Sequence, residues 1–440
     1  MPRNLLILHA HDMGRYNRAY GHALPTPHMA QLAEEGTLFR NAHCAAPTCS
    51  PSRAALLTGK TAHEVGMFGL THRGWDLRDY HDHLAHHLGQ HGWHTAWVGV
   101  QHEFKAHARA PYAECIPRPP TVPSERDAAS TLAAADWLKQ PRERPFFLWV
   151  GFQLPHVPFR PADPARFPAG RMQPPPVLPD TPRTRQDWAD YAASVAVTDQ
   201  CVGQILAALA DGGHADETLV ILTTDHGLPL PHMKCNLTHH GTGVTLIMRG
   251  PEVPPGHVTD ALVSHLDVFP TICDYLGVAA PETQRGTSLR PLMEGTVEAI
   301  RADTFAEVTY HAAYQPMRAV RTTRWNYIRS FEEDRRLPLA NIDDTRSKRE
   351  LMEHGLLLQT TEKEALYDLL YDPQERQNRA ADPAYQTIKA EMAERLERWM
   401  AATDDPIRHG DIALPAGAKC NTRESLQPYE GPYVGSDEPA

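Results

Sequence analysis

Up to about residue 300 the chain alternates between short apolar runs and helical patterns. Asn4 to Ala10, Trp93 to Val100, Pro145 to Phe152, Leu219 to Leu222 and Val244 to Met248 are nearly continuous apolar stretches of strand length. Such runs fit strands buried on both faces, as in a parallel sheet covered by helices. Residues 27–40 predict an amphipathic helix and a short strand, and residues 81–91 place Leu84 and Leu88 in helical spacing. Trp188 to Ala210 repeats apolar positions at Val195, Val202, Ile205, Leu206 and Leu209. Ser264 to Thr271 opens a further helix. Beyond residue 300 the period shortens to two in Met317–Thr322 and Trp325–Ile328, charged irregular sequence runs from Glu332 to Glu350, Ala365–Leu369 follows, and Tyr385–Met400 reads as a terminal helix. The pattern predicts an α/β fold: a large, mostly parallel sheet sandwiched by helices over residues 1–300, then a smaller C-terminal α+β domain with an antiparallel sheet over 301–440. A proline-dense stretch at 154–182 reads as a long surface loop able to wall a pocket, and the chain from Ala413 reads as an extended tail.

What stands at the ends of the apolar runs changes the picture. The first ends in His11-Asp12-Met13-Gly14, the second leads to Gln101-His102, the third to Pro155-His156 and the fourth to Asp225-His226-Gly227, with Lys234 in the loop beyond. Open α/β sheets bind ligands outside the carboxyl ends of their strands. Histidine is common, at 26 residues, so a single one carries little weight. Polar groups delivered by successive strand ends carry more, and they predict one convergent site.

Cys49-Ser50-Pro51-Ser52-Arg53 precedes Ala-Ala-Leu-Leu-Thr-Gly. Ser50 is a suitable cap and Pro51 suits a first helical turn. Cys49 is therefore expected at the positive end of a helix dipole, with Arg53 one turn on, facing the same spot. The string Cys-x-Pro-x-Arg followed by Leu-Thr-Gly resembles the sulfatase signature of the alkaline-phosphatase superfamily. The likeness runs along nearly the whole chain and is strongest to the N-sulfoglucosamine sulfohydrolase (sulfamidase) branch. It is carried by Cys49–Gly59, Gly66–Leu70, Pro316–Arg321, Leu366-Tyr367-Asp368 and Asp372–Asn378.

The resemblance implies an alkaline-phosphatase-like fold and hydrolysis of a sulfate ester or sulfamate, on a sugar. It implies that Cys49 is oxidised by a formylglycine-generating enzyme and that its hydrated aldehyde is the nucleophile. One divalent metal would be held by His11, Asp12, Cys49, Asp225 and His226. Arg53 would stabilise the hydrated aldehyde, His102 would accept its proton, and His156 and Lys234 would bind the sulfuryl group and assist the leaving group. Three positions depart from the family pattern: Val100 stands where a lysine is usual, His11 where an aspartate is usual, and His226 where asparagine is frequent. The family metal is calcium, whereas imidazole ligands suit manganese, zinc or iron. The same departures leave open a phosphonate or phosphodiester hydrolase, and an inactive sugar- or metal-binding relative.

Composition narrows the remainder. A net charge of -11 argues against a nucleic-acid partner. The seven cysteines form no CxxC pair and no disulfide framework. No apolar run reads as long enough to span a membrane. Met1-Pro2-Arg3 leads directly into the first strand, so a cytoplasmic location is expected. The branch it resembles suggests a homodimer, and the substrate is expected to be a small or oligosaccharide anion of unreadable identity.

Overall fold

The structure is a computed structural model that describes residues 3–105 and 110–435. Met1 and Pro2, part of the expected lead into the first strand, lie outside the described residues.

In chain order the strands are β1 (Asn4–Ala10), β2 (Thr37–Phe39), β3 (Ala42–His43), β4 (His94–Gly99), β5 (Glu114–Cys115), β6 (Phe146–Gly151), β7 (Thr218–Thr224), β8 (Leu246–Arg249), β9 (His257–Thr259) and β10 (Val263–Ser264). The large sheet runs β5-β4-β6-β1-β7-β8-β2-β9. Its centre is parallel: β1 pairs with β6 on one side and β7 on the other. Every residue of β1, β6 and β7 is buried, as their continuous apolar runs require. The strand expected at 244–248 begins later, at Leu246, and lies antiparallel to β7 and β2. A second sheet is antiparallel throughout: β11 (Thr304–Tyr310), β12 (Tyr314–Arg321), β13 (Trp325–Ser330) and β14 (Glu364–Asp368). β15 (Lys419–Asn421) pairs with β16 (Tyr433–Gly435).

The helices that position the site are α1 (Pro27–Glu34), α2 (Cys49–Thr58), α3 (Leu84–Gln90), α4 (Arg126–Leu138) and α5 (Pro182–Asp211). All ten residues of α2 are buried, so it is an internal helix with no solvent face. α5 starts six residues before the expected Trp188, capped by Thr181 in a reciprocal box with Thr184. By length and composition this 30-residue helix could cross a membrane, contrary to the sequence expectation. In this fold it is a core helix, with 67% of its apolar window buried.

The structure corrects other expectations. Ser50 is not the cap: the helix starts at Cys49, Thr48 holds the cap position, and Ser50 Oγ accepts from Thr71 N–H at 3.1 Å. The histidine-rich segment opens with a short 3-10 turn at Tyr80–Asp82 before α3, and His83 is buried. The charged segment 332–350 runs into a helix at Arg346–Glu353. The tail from Ala413 folds back: Cys420, Asn421 and Ser425 are buried.

Candidate active site

Strand register sets the first contact. Ala10 pairs with Thr224 across β1 and β7, so the residues that follow each strand emerge side by side. Asp12 N–H donates to Asp225 Oδ1 at 2.8 Å, and His226 N–H donates to the same oxygen at 3.0 Å. β4 and β6 bring in the histidines. Gly99 has a φ of 88°, and a Cβ there would lie 2.0 Å from the Gly151 carbonyl oxygen; a Cβ on Gly151 would lie 1.8 Å from the Val100 carbonyl oxygen. Only glycine allows these chain paths to cross that closely. The crossing turns His102 and His156 towards His11, with ring centroids at 5.3 and 4.4 Å.

Cys49 completes the group from the start of α2. His11 Nε2 lies 3.2 Å from Cys49 Sγ, 3.4 Å from Asp12 Oδ1 and 3.3 Å from Asp225 Oδ2. His226 Nε2 lies 3.5 Å from Cys49 Sγ and 3.4 Å from Asp12 Oδ1. A ring nitrogen of His102 falls within 4.8 Å of both Cys49 Sγ and the His11 nitrogen. All the site residues singled out in the sequence are thus adjacent.

The charges around this point explain its titration. Burial raises the Cys49 thiol well above its ordinary range, and Lys234 only partly opposes it, so the side chain is no thiolate at neutral pH. Burial raises Asp12 to about 6 against the pull of Lys234. Burial also raises Asp225, but His226 and Arg53 outweigh it and hold the carboxyl below the ordinary range. Burial lowers His102 to about 3 with help from Arg53, and lowers His156 to about 4 with help from Lys234. Arg53 does not hydrogen-bond Cys49: its Nη2 donates to Asp225 Oδ2 at 3.1 Å and its Nη1 to the Gln101 carbonyl at 3.2 Å. Lys234 Nζ sits between Asp12 Oδ2 at 3.0 Å and Asp343 Oδ2 at 3.1 Å.

The donor set fits a cation. His226 Nδ1 must carry the proton, because it faces the Gly227 carbonyl oxygen at 2.9 Å. Its Nε2 faces Asp12 Oδ1, which is buried without a hydrogen-bond partner, and in the neutral ring that nitrogen offers a lone pair to a cation. Crowded lone pairs of this kind need a positive charge between them, and a histidine oriented through its far N–H by a carbonyl is the usual form of a metal ligand. His11, Asp12, Cys49 and Asp225 offer ligand atoms all within 4.8 Å of one another.

A cavity of about 820 Å³ opens above Cys49. Residues not singled out in the sequence line it with Cys49 and Lys234: His72, His311, Asp343 and Tyr429. His311 is 7% exposed and its Nδ1 has no partner. Asp343 lies in the charged segment 332–350, where nothing in the local pattern sets one carboxylate apart from its neighbours. The proline-dense loop supplies His156 through Pro161 to one wall, as its composition suggested.

Comparison with known proteins agrees with this geometry. The sulfatase family profile matches residues 3–278, and the profile of the N-sulphoglucosamine sulphohydrolase C-terminal region matches 234–354. Human (Homo sapiens) N-sulphoglucosamine sulphohydrolase is 30% identical, over 92% of this chain and 91% of that one. A solved structure in complex with its substrate, D-glucosamine-2-N,6-O-disulfate, shares the fold at a TM-score of 0.71 and 18% identity, covering 92% of this chain and 98% of that one. The phosphonate monoester hydrolase of Agrobacterium radiobacter shares it at 0.66 and 21%, covering 91% and 96%. With the family profile spanning both aspartates, the cysteine and Lys234, this protein belongs to the sulfatase family of sulfuric ester hydrolases.

Proposed function

We propose that the protein removes sulfate from sulfate esters or sulfamates carried by sugars, with Cys49 oxidised to formylglycine. The observation that carries this reading is the placement of Cys49 at the floor of an open cavity, among His11, Asp12, Asp225 and His226, with Arg53 and Lys234 fixed alongside. The hydrated aldehyde supplies the nucleophile that a buried, protonated thiol does not. A divalent metal held by His11, Asp12, Cys49, Asp225 and His226 would polarise the sulfuryl oxygens and favour ionisation of that hydrate. Two imidazoles beside two carboxylates make manganese, zinc or iron a better match than calcium.

The chain's own residues do the rest. Arg53 is held by Asp225 and Gln101, so its positive charge is preorganised beside Cys49. Lys234 has three donors and uses two on Asp12 and Asp343, which leaves one for a sulfuryl oxygen. His102, neutral and with an unpartnered Nδ1, is free to take a proton from the nucleophile. His156 gives its Nδ1 proton to the Val157 carbonyl oxygen and turns Nε2 towards Asp12 Oδ2 at 3.7 Å. When the ring takes up a second proton, that nitrogen carries it and can hand it to the departing oxygen or nitrogen. The N-sulphoglucosamine profile covers the segment that supplies Lys234, His311 and Asp343, and this favours N-sulfated sugars within the class.

A second reading, phosphonate or phosphodiester hydrolysis, rests on His226 and on Val100 in place of a lysine, together with the shared fold of the phosphonate monoester hydrolase. A paired assay separates the two. Matured protein loaded with manganese or calcium is given aryl sulfate, N-sulfoglucosamine and an aryl phosphonate ester. Higher kcat/KM on the sulfur substrates is expected; the reverse order overturns the proposal. Peptide mass spectrometry is expected to show the aldehyde at position 49. Cys49→Ala is expected to lose at least about 10³-fold in turnover with an unchanged circular dichroism spectrum. Near-parental turnover in that variant sinks the nucleophile assignment.

A further inference from the structure

The cavity extends well beyond the room a sulfuryl group needs, and its outer wall carries positive charge that the reaction scheme does not use. Arg160, half-buried, donates Nη1 to the Ser124 carbonyl oxygen at 2.8 Å. Two positions on, at the first residue of α4, stands the exposed Arg126. Both residues line the cavity, and neither forms an ion pair with a carboxylate among the described residues. The nearby acid, Asp127, is committed elsewhere: its oxygens accept from Gln153 N–H at 2.7 Å and Leu154 N–H at 2.8 Å. Guanidinium groups left with open donor edges at a cavity wall suit an oxyanion.

An aromatic side chain on a pinned loop also lines the cavity. Tyr429 lines the cavity with 78% of its surface exposed. Its loop is fixed by Arg73 Nη2, which donates to the Pro428 carbonyl oxygen, and by buried Lys348, whose Nζ donates to the Leu426 carbonyl at 2.6 Å. An exposed aromatic ring and cationic side chains lining one cavity match the two kinds of surface an acidic sugar presents, C–H bonds and charged substituents.

We propose that Arg126 and Arg160 form a second anion subsite, which takes a carboxylate or second sulfate on the sugar next to the sulfuryl group, with Tyr429 as the ring platform. The substrate is then a multiply anionic saccharide. This rests on the sulfatase reading for the position of the first anion, and the test keeps the two apart.

Binding is measured by calorimetry on metal-loaded Cys49→Ala protein, which cannot turn the probes over. The probes are N-sulfoglucosamine, its disaccharide with a hexuronic acid, the carboxyl-reduced disaccharide, and glucosamine 2-N,6-O-disulfate. At least one doubly anionic probe is expected to bind about tenfold or more tighter than N-sulfoglucosamine. Loss of that gain on carboxyl reduction assigns a carboxylate; a gain confined to the disulfate assigns a second sulfate. The added R126Q/R160Q pair, or the exposed R126Q alone, is expected to remove the gain while binding of N-sulfoglucosamine changes far less. Equal affinity for all probes, or a gain that survives R126Q/R160Q, overturns the subsite. Should matured wild-type protein hydrolyse none of the probes while R126Q/R160Q still abolishes the gain, the sulfatase reading fails and the anion subsite stands.

Discussion

Asp12 and His102 both adopt left-handed backbone, with φ of 57° and 52°. Neither is glycine, and such positions cost on the order of 1–3 kcal/mol each unless the surroundings hold them. Here the hold is visible for Asp12, whose neighbour Met13 donates its N–H to Thr224 Oγ1 at 3.1 Å. His226 shows the other residue-scale device, an imidazole held by the Gly227 carbonyl so that its Nε2 faces Asp12 Oδ1. His226→Asn replaces that nitrogen by an amide oxygen. Manganese affinity is expected to fall on the order of 10–100-fold, and calcium affinity to fall much less. Chelator competition with each metal reads this directly, and equal losses for the two metals would argue against imidazole ligation.

At the scale of elements, the site depends on strands ending close together, and the glycine crossing of β4 and β6 is one place where that closeness is needed. Gly151→Ala drives a Cβ against the Val100 carbonyl oxygen. A loss of about 1–3 kcal/mol is expected, with activity falling further as His102 and His156 move apart. Urea unfolding followed alongside turnover checks both, and an unchanged midpoint would show that the junction relaxes freely. The strands and their polar ends were legible because a strand buried on both faces must be written as an apolar run, and a polar residue at its end is then conspicuous. α4 was not legible: Arg126–Leu138 is rich in alanine, which marks no strong apolar stripe, and it follows a proline-dense stretch. β11 was missed for a related reason, since Glu307 interrupts its alternation in order to pair with His63. Asp343 reaches Lys234 through the path of an irregular loop, and no period encodes such a path.

On the scale of the whole molecule, buried charge ties the antiparallel sheet to the segment that follows the C-terminal helix. Arg318, fully buried on β12, donates Nη2 to Asp405 Oδ1 at 3.0 Å and lies 3.6 Å from Glu307. Arg318→Met strands two buried carboxylates and is expected to cost about 3–5 kcal/mol, read as a drop in the unfolding midpoint. A second global property follows from histidine. Burial lowers His240 and His265 to about 3 and holds His43 well below its ordinary value. Their folded pKa values lie below the unfolded value, so the stability they confer is present above about pH 6.5 and lost as pH falls. His63 runs the other way: burial lowers it, but Glu307 outweighs this and raises it, so its contribution is lost as pH rises. The lowered group is larger, and each such histidine removes about 2 kcal/mol by pH 5. The melting temperature is expected to drop steeply between pH 7 and 5, and a flat profile would contradict the neutral burial of these rings. The loop pinned by Arg73 and Lys348 has a consequence in time. Cys49 leaves the ribosome early in synthesis and Tyr429 only near its end, yet both line one cavity. The binding surface is unfinished until the chain is almost fully made, so a nascent or prematurely ended polypeptide can hold the catalytic floor without its roof.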